Sequence, residues 1–337
     1  MHKKAKILFV CPYFSSFIQK DLDLIRRHFD VKVGHYTSLG SVPKILKAVL
    51  WSDITFSWFA DIHAFWAVLF SKIFNKKSIV VVGGFEVAKV PDINYGLLLY
   101  RKTARRVKYV LENADKVLTV DDSLKMDAIN NAKVNGKNIQ TIPTGYDPEK
   151  WKFEGEKENL VITVGSVTDL VMKRKGFETF VKSAEYIPNA KFVLIGKHVD
   201  DSINYLKSIA PSNVEFPGFV SDEELLRWYQ RAKVYCQLSR YEGLPNALCE
   251  AMLCECVPVG TKYCGIPTAI DDTGFYVPYG DEKATAEAIK EALNSDKGKE
   301  ARERIKSMFP LERREKELTG IINEMLSETY KDILLSL

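Results

Sequence analysis

The strongest constraint on this chain is a rhythm. Short runs of β-branched and aliphatic residues recur, each followed by a longer stretch with helical periodicity. The first series is KILFV (6–10), VKVGHY (31–36), DITFSW (53–58), SIVVVGG (78–84), KVLTV (116–120) and IQTIP (139–143). A second begins at LVITVGS (160–166) and continues with KFVLIG (191–196), VEFPGF (214–219), VYCQLS (234–239), VPVGT (257–261) and GFYVP (274–278). Strands buried on both faces read as continuous apolar runs, and their alternation with helices calls for parallel sheets. A chain of 337 residues is also long for one hydrophobic core. The two series therefore predict an α/β protein of two doubly wound, Rossmann-like domains facing across a cleft. Pro, Gly and charge interrupt the periodicity in PTGYDPEKWKFEGEKEN (143–159), so the break and a hinge are expected there. The expected division is a first domain over residues 1–150, a second over 151–312 and a C-terminal helix over 313–337. In that tail Leu318, Ile321, Ile322, Met325 and Leu326 stand at helical spacing, and the stripe is expected to pack back toward the N-terminal domain.

Composition narrows the function. Apolar content of 46% and charged content of 27% are ordinary for a soluble globular protein. A net charge of +4 calls for no nucleic acid partner. No run has the length of a bilayer-spanning helix, and the five apolar residues before Pro12 are too few for a secretory signal. A cytoplasmic location is expected. Cys249, Cys254, Cys256 and Cys264 lack the paired C-x2-C spacing of structural zinc and read as small core residues, so neither a metal nor a cofactor is expected. KILFVCPYFSSFIQKD has no glycine, which argues against the G-x-G-x-x-G turn of a nicotinamide-binding enzyme.

The chemistry concentrates in RYEGLPNALCEAML (240–253), where Glu242 and Glu250 flank seven mostly apolar or small residues. A helix is predicted from about Leu244 to Cys256, with Pro245 in its first turn. Its N–H groups and positive dipole end would meet the carboxyl edge of the sheet, where open α/β sheets bind ligands. The two carboxylates would lie roughly 8–15 Å apart, from the rise of a helix plus a few loop residues. That suits a nucleotide sugar: diphosphate on the helix end, hydroxyls of the two sugars on the carboxylates.

EGLPNALCEAML, followed by CECVPVGTKYCGIPTAIDDTGFYV, resembles the E-x7-E segment of the retaining, GT-B-fold glycosyltransferases of family 4, glycosyltransferase group 1. VGSVTDLVMKRKGFETF, VEFPGFVSDEELLRWYQRAKVYCQLS and IPTGYDPEKW extend the resemblance, and VVVGGFEVAKVPDINYG matches loosely. The resemblance implies a metal-independent, retaining hexosyltransferase that takes a UDP-, GDP- or ADP-sugar to the hydroxyl of a glycan or lipid-linked acceptor. Glu242 would bind donor-sugar hydroxyls and Glu250 the ribose. Gly243, Leu244, Pro245 and Asn246 would line sugar and distal phosphate, with Pro245 giving shape only. Lys175 would neutralise the leaving diphosphate, and Gly218, Phe219 and Val220 would pack around the base. The family usually has an arginine after the strand's Val-Gly, where this chain has Ser166. Arg174 or Lys173, from a longer loop, is expected to supply the second cation. A non-catalytic nucleotide-sugar-binding protein or a glycoside phosphorylase of the same fold is the competing expectation.

On the acceptor side, GGFEV (83–87) follows a strand. Gly83 and Gly84 would allow close backbone approach, with Glu86 either a general base for the acceptor hydroxyl or an exposed turn residue. His63 heads a helix and either reaches the cleft or serves the core. HAFWAVLFSKIFNKK (63–77) and LLLYRKTARRVKYVLENADK (98–117) mix aromatics with Lys and Arg. They are basic outer helix faces or a surface for peripheral contact with the inner face of the membrane.

Overall fold

The computed structural model describes residues 4–336, and side chains as far as residue 328. All twelve expected strands form. β1 (Lys6–Cys11), β2 (Asp30–His35), β3 (Ile54–Trp58), β4 (Lys77–Val82), β5 (Lys116–Thr119) and β6 (Ile139–Thr141) make one parallel sheet in the order β2-β1-β3-β4-β5-β6. β7 (Glu158–Val164), β8 (Lys191–Ile195), β9 (Val214–Gly218), β10 (Ala232–Gln237), β11 (Val257–Gly260) and β12 (Phe275–Tyr276) make the other, in the order β12-β11-β10-β7-β8-β9, again parallel throughout. The winding direction reverses between β1 and β3 in the first sheet and between β7 and β10 in the second. Loops leaving the carboxyl ends of such a pair splay apart and open a crevice.

Two compact units result. One comprises Met1–Pro91, Tyr95–Thr144 and Leu311–Leu337, the other Asp92–Asn94 and Gly145–Pro310. In the first unit the sheet carries α1 (Ser16–His28), α2 (Val42–Trp51), α3 (Ile62–Ile73), α4 (Arg101–Asn113) and α5 (Asp122–Ala132). β1 is buried from Ile7 to Cys11, and Leu8 and Val10 pack with Ile45 and Val49 of α2 and Ala67 of α3. The second unit carries α6 (Asp169–Lys175), α7 (Phe177–Ser183), α8 (Ser202–Ile209), α9 (Asp222–Arg231), α10 (Asn246–Leu253), α11 (Gly265–Ile270), α12 (Glu282–Leu293) and α13 (Gly298–Met308). Its core joins Phe177, Phe180 and Phe192 to Val234, Val257 and Ile289.

The last helix, α14 (Leu311–Ser336), belongs to the first unit and packs beside α1. It is one continuous helix, and the predicted stripe is its contact face: Leu318, Ile321, Ile322 and Met325 are buried and Leu326 half-buried. A buried ion pair joins it to α1. Arg314 donates from Nε and Nη2 to the two carboxylate oxygens of Asp21 at 3.0 and 2.6 Å, and from Nη1 to the Ile142 carbonyl at 2.6 Å. Trp58 Nε1 donates to the same Asp21 at 3.0 Å. Every strong group in this cluster is satisfied, which makes a buried pair tolerable.

Candidate active site

At the reversal between β7 and β10, the chain leaving β10 runs through Ser239 to Glu242 and enters α10 at Asn246. The helix is shorter at both ends than Leu244 to Cys256. Pro245 is its N-cap rather than its first turn, with no side chain capping the first amides. At the other end Glu255 turns left-handed (φ 61°) and the Cys256 amide folds back to the Ala251 carbonyl at 3.0 Å. The helix start therefore offers uncapped N–H groups at the sheet edge, as an anion site requires. Asn246 Oδ1 is also buried there and accepts no hydrogen bond from any described residue. Gly243, Leu244 and Pro245 are buried around it, and Glu250 lies one turn further in at 7% exposure. Tyr229 and Tyr235, whose hydroxyls burial pushes well above the usual tyrosine range, lie near enough for Glu250 to add to that shift.

The chain leaving β7 supplies the cations. The stretch expected as a loop is helical: Thr168 caps α6 by accepting from the Val171 amide, and Lys173, Arg174 and Lys175 form its last turn. The structure brings two of the three together. Arg174 Nη1 and Lys175 Nζ lie 2.6 and 3.2 Å from Glu242 Oε1, and all three side chains are 13–14% exposed. Lys173 instead pairs with Asp169 one turn back at 2.8 Å, and Ser166 stands exposed at the end of β7. Burial alone would raise the Glu242 carboxyl, but Arg174 and then Lys175 outweigh it and hold the group at about 2. Burial pulls Lys175 down, with Glu242 opposing.

Two glycines border the cluster. A Cβ on Gly165 would lie 2.7 Å from Lys175 Cδ, so the lysine stem would have to shift to admit one. Gly176 ends α6 in the left-handed conformation (φ 65°), with the Leu238 carbonyl where its Cβ would be. The strand beneath adds two polar groups that the pattern VYCQLS does not advertise. Gln237 Nε2 and Ser239 Oγ reach Glu242 Oε1 at 3.1 and 2.9 Å. Alternation along β10 is the signal that would have found them, since Tyr235, Gln237 and Ser239 share one face.

At the edge of β9 the Gly218 carbonyl accepts from the Gly196 amide at 2.9 Å, Gly218 is left-handed (φ 82°), Phe219 is 78% exposed and Val220 half-buried. In the first unit Glu86 is 2% exposed, not a surface turn residue. Its carboxylate accepts from the amides of Gly83 (3.1 Å), Ala60 (3.2 Å) and Gly84 (2.9 Å), tying the loop after β3 to the loop after β4. Burial raises its carboxyl, with those amides opposing. His63 is 1% exposed and its Nε2 donates to the Trp58 carbonyl, while burial lowers its ring. Cys249, Cys254 and Cys256 are buried free thiols and Cys264 is half-buried. Among the described residues no group of three or more His, Cys, Asp or Glu is arranged to hold a metal ion.

This site and these two parallel sheets define a GT-B glycosyltransferase fold. Residues 147–308 match the sequence model of the family described as glycosyl transferases group 1. The alpha-galactosylglucosyldiacylglycerol synthase of Streptococcus pneumoniae is 27% identical over 212 residues, 56% of this chain and 54% of that protein. The capsular polysaccharide biosynthesis glycosyltransferase CapM of Staphylococcus aureus is 25% identical over 281 residues, 74% of this chain and 71% of that protein. The match thus spans about half the length of the first relative. Among solved structures, Anabaena HepE in complex with UDP and glucose superposes with a TM-score of 0.79 at 14% identity, covering 95% of this chain and 100% of that one. This last likeness is one of fold.

Proposed function

We propose that the protein is a retaining glycosyltransferase that moves a hexose from a nucleoside diphosphate sugar to an acceptor hydroxyl. The observation carrying this reading is the juxtaposition of the uncapped start of α10 with Arg174, Lys175 and two buried carboxylates at the winding reversal. The diphosphate lies on the α10 amides with Lys175 and Arg174 against it, in the second unit as the donor side. Glu250 takes the ribose hydroxyls, and Gly218, Phe219 and Val220 border the base. Glu242 takes hydroxyls of the transferred sugar. The two cations and the helix end oppose the charge that develops on the departing diphosphate, the role a divalent cation would otherwise fill. Transfer is therefore metal-independent and persists in EDTA.

Glu242, neutralised by two cations, is a poor nucleophile. The leaving diphosphate oxygen instead takes the proton of the incoming hydroxyl on the same face, so the new glycosidic bond keeps the anomeric configuration. HepE's complex with UDP and glucose makes UDP the first donor base to try. The first unit is the acceptor side, where Gly84, Glu86 and His63 shape the loops after β3 and β4. A lipid-linked acceptor is supported by the name of the pneumococcal relative. Peripheral membrane contact would draw on exposed Lys72 and Ile73 at the end of α3 or on exposed Tyr100, Arg101, Lys102 and Arg105 at the start of α4, while no described helix is long and apolar enough to cross a membrane. Co-sedimentation with anionic vesicles, lost at high salt, tests that contact.

A thermal-shift screen with UDP, GDP, ADP and their sugars tests the whole reading. One of them must raise the midpoint, and Glu250→Ala must abolish most of that rise. A mutant with full donor affinity would overturn the ribose assignment.

A further inference from the structure

We infer that Gln237 is a positioning residue that aims the Glu242 carboxylate, an assignment that rests on the functional reading above. Gln237 is 2% exposed, inside β10 at the winding reversal. The Tyr235 hydroxyl donates to its Oε1 at 3.3 Å, and the ionised Glu242 carboxylate, which can only accept, fixes the other end of the amide as the donor. Nε2 then donates to Ser239 Oγ at 2.7 Å and to Glu242 Oε1 at 3.1 Å. The Ser239 hydroxyl donates to the same oxygen at 2.9 Å, and Arg174 and Lys175 approach that oxygen from α6.

Four donors thus converge on Oε1. Lys175 supplies charge but little orientation, because an ammonium on a flexible stem has no preferred plane, and Arg174 reaches Oε1 from α6 through Nη1. The neutral donors from the strand fix the plane of the carboxylate. Without Gln237 the group can rotate about its last bond toward the cations. The charged and titratable groups facing this carboxylate are Arg174 and Lys175 from α6 and Tyr235 from β10, which also feels Glu250.

Two variants test the assignment. Gln237→Leu removes the donor, and the near-isosteric Gln237→Glu sets a second carboxylate at hydrogen-bond distance, so that the pair shares a proton. In a crystal structure of Gln237→Leu at neutral pH, the Glu242 carboxylate should move by about 1 Å, and kcat should fall tenfold to a hundredfold for a misplacement of that size. UDP affinity should stay within about twofold of wild type, since UDP carries no transferred sugar for Glu242 to hold. Gln237→Glu should move the acid limb of the pH–kcat profile upward, a response that simple loss of packing does not produce. If Gln237→Leu does not fold, the crystal structure and pH profile of Gln237→Glu take its place. An unmoved Glu242, or a kcat and pH profile equal to wild type, overturns the assignment. A wild-type chain that turned over no nucleotide sugar would sink the functional reading instead, leaving the crystallographic position of Glu242 to judge Gln237.

Discussion

Single residues decide most of the candidate chemistry. The family resemblance singles out Glu242, Glu250 and Lys175, and the structure sets Glu242 and Lys175 3.2 Å apart. The sequence leaves open the choice between Lys173 and Arg174. It depends on the phase of α6, which turns Lys173 to Asp169 and Arg174 to Glu242. Lys175→Ala should lower turnover about 10²–10³-fold, as loss of one donor to a developing oxyanion does, with a much smaller change in donor affinity. Steady-state kinetics beside calorimetric binding would separate the two.

The Glu242 carboxyl also makes stability depend on pH in a defined sense. Its folded value, about 2, lies below the ordinary 4.5, so the folded state holds the charged form more tightly than the unfolded chain does. The stabilisation is complete above about pH 4.5 and disappears as pH falls through about 2, a total of roughly 3 kcal/mol. Urea titrations across that range should show the wild type losing this amount relative to Glu242→Gln. Gly176→Ala should cost about 1–3 kcal/mol, since it forces a side chain into a left-handed turn against the Leu238 carbonyl. The same titration at neutral pH measures it.

Elements were legible where their signal is local. Strands buried on both faces announced themselves as apolar runs, and the stripe of α14 announced its contact face. α6 was missed because seven residues carry too little periodicity, although Thr168 and Asp169 before Val171 are a recognisable helix start. The length of α10 was overestimated because Cys254–Cys256 are apolar enough to continue the pattern, and only the left-handed Glu255 ends it. The pair of Arg314 with Asp21 was invisible, since its partners are 293 residues apart and each reads as an ordinary charged helix residue. Arg314→Leu should leave a buried, uncompensated Asp21 and cost about 3–5 kcal/mol. Hydrogen exchange would locate that loss in α1, α14 and β3.

On the scale of the whole molecule, each unit has its own sheet and core, and the proposed donor site lies within the second. Removing residues 311–337 should therefore raise hydrogen exchange across the first unit while leaving nucleotide affinity within about threefold. A parallel loss of nucleotide binding would contradict that independence. The two-sheet plan was legible because the same rhythm occurs twice with a break near residue 150. Assignment of α14 to the first unit follows from contacts the sequence hints at only through an unpartnered stripe. Its position also has a consequence for synthesis. When a ribosome has made the first six strands, the helix that closes their unit lies beyond 166 further residues, 145–310. At 5–20 residues per second that is a wait of roughly ten to thirty seconds, with the surface of α1 uncovered throughout. The half begun later is thus complete before the half begun first, and the nascent chain spends that interval with Asp21 awaiting its arginine.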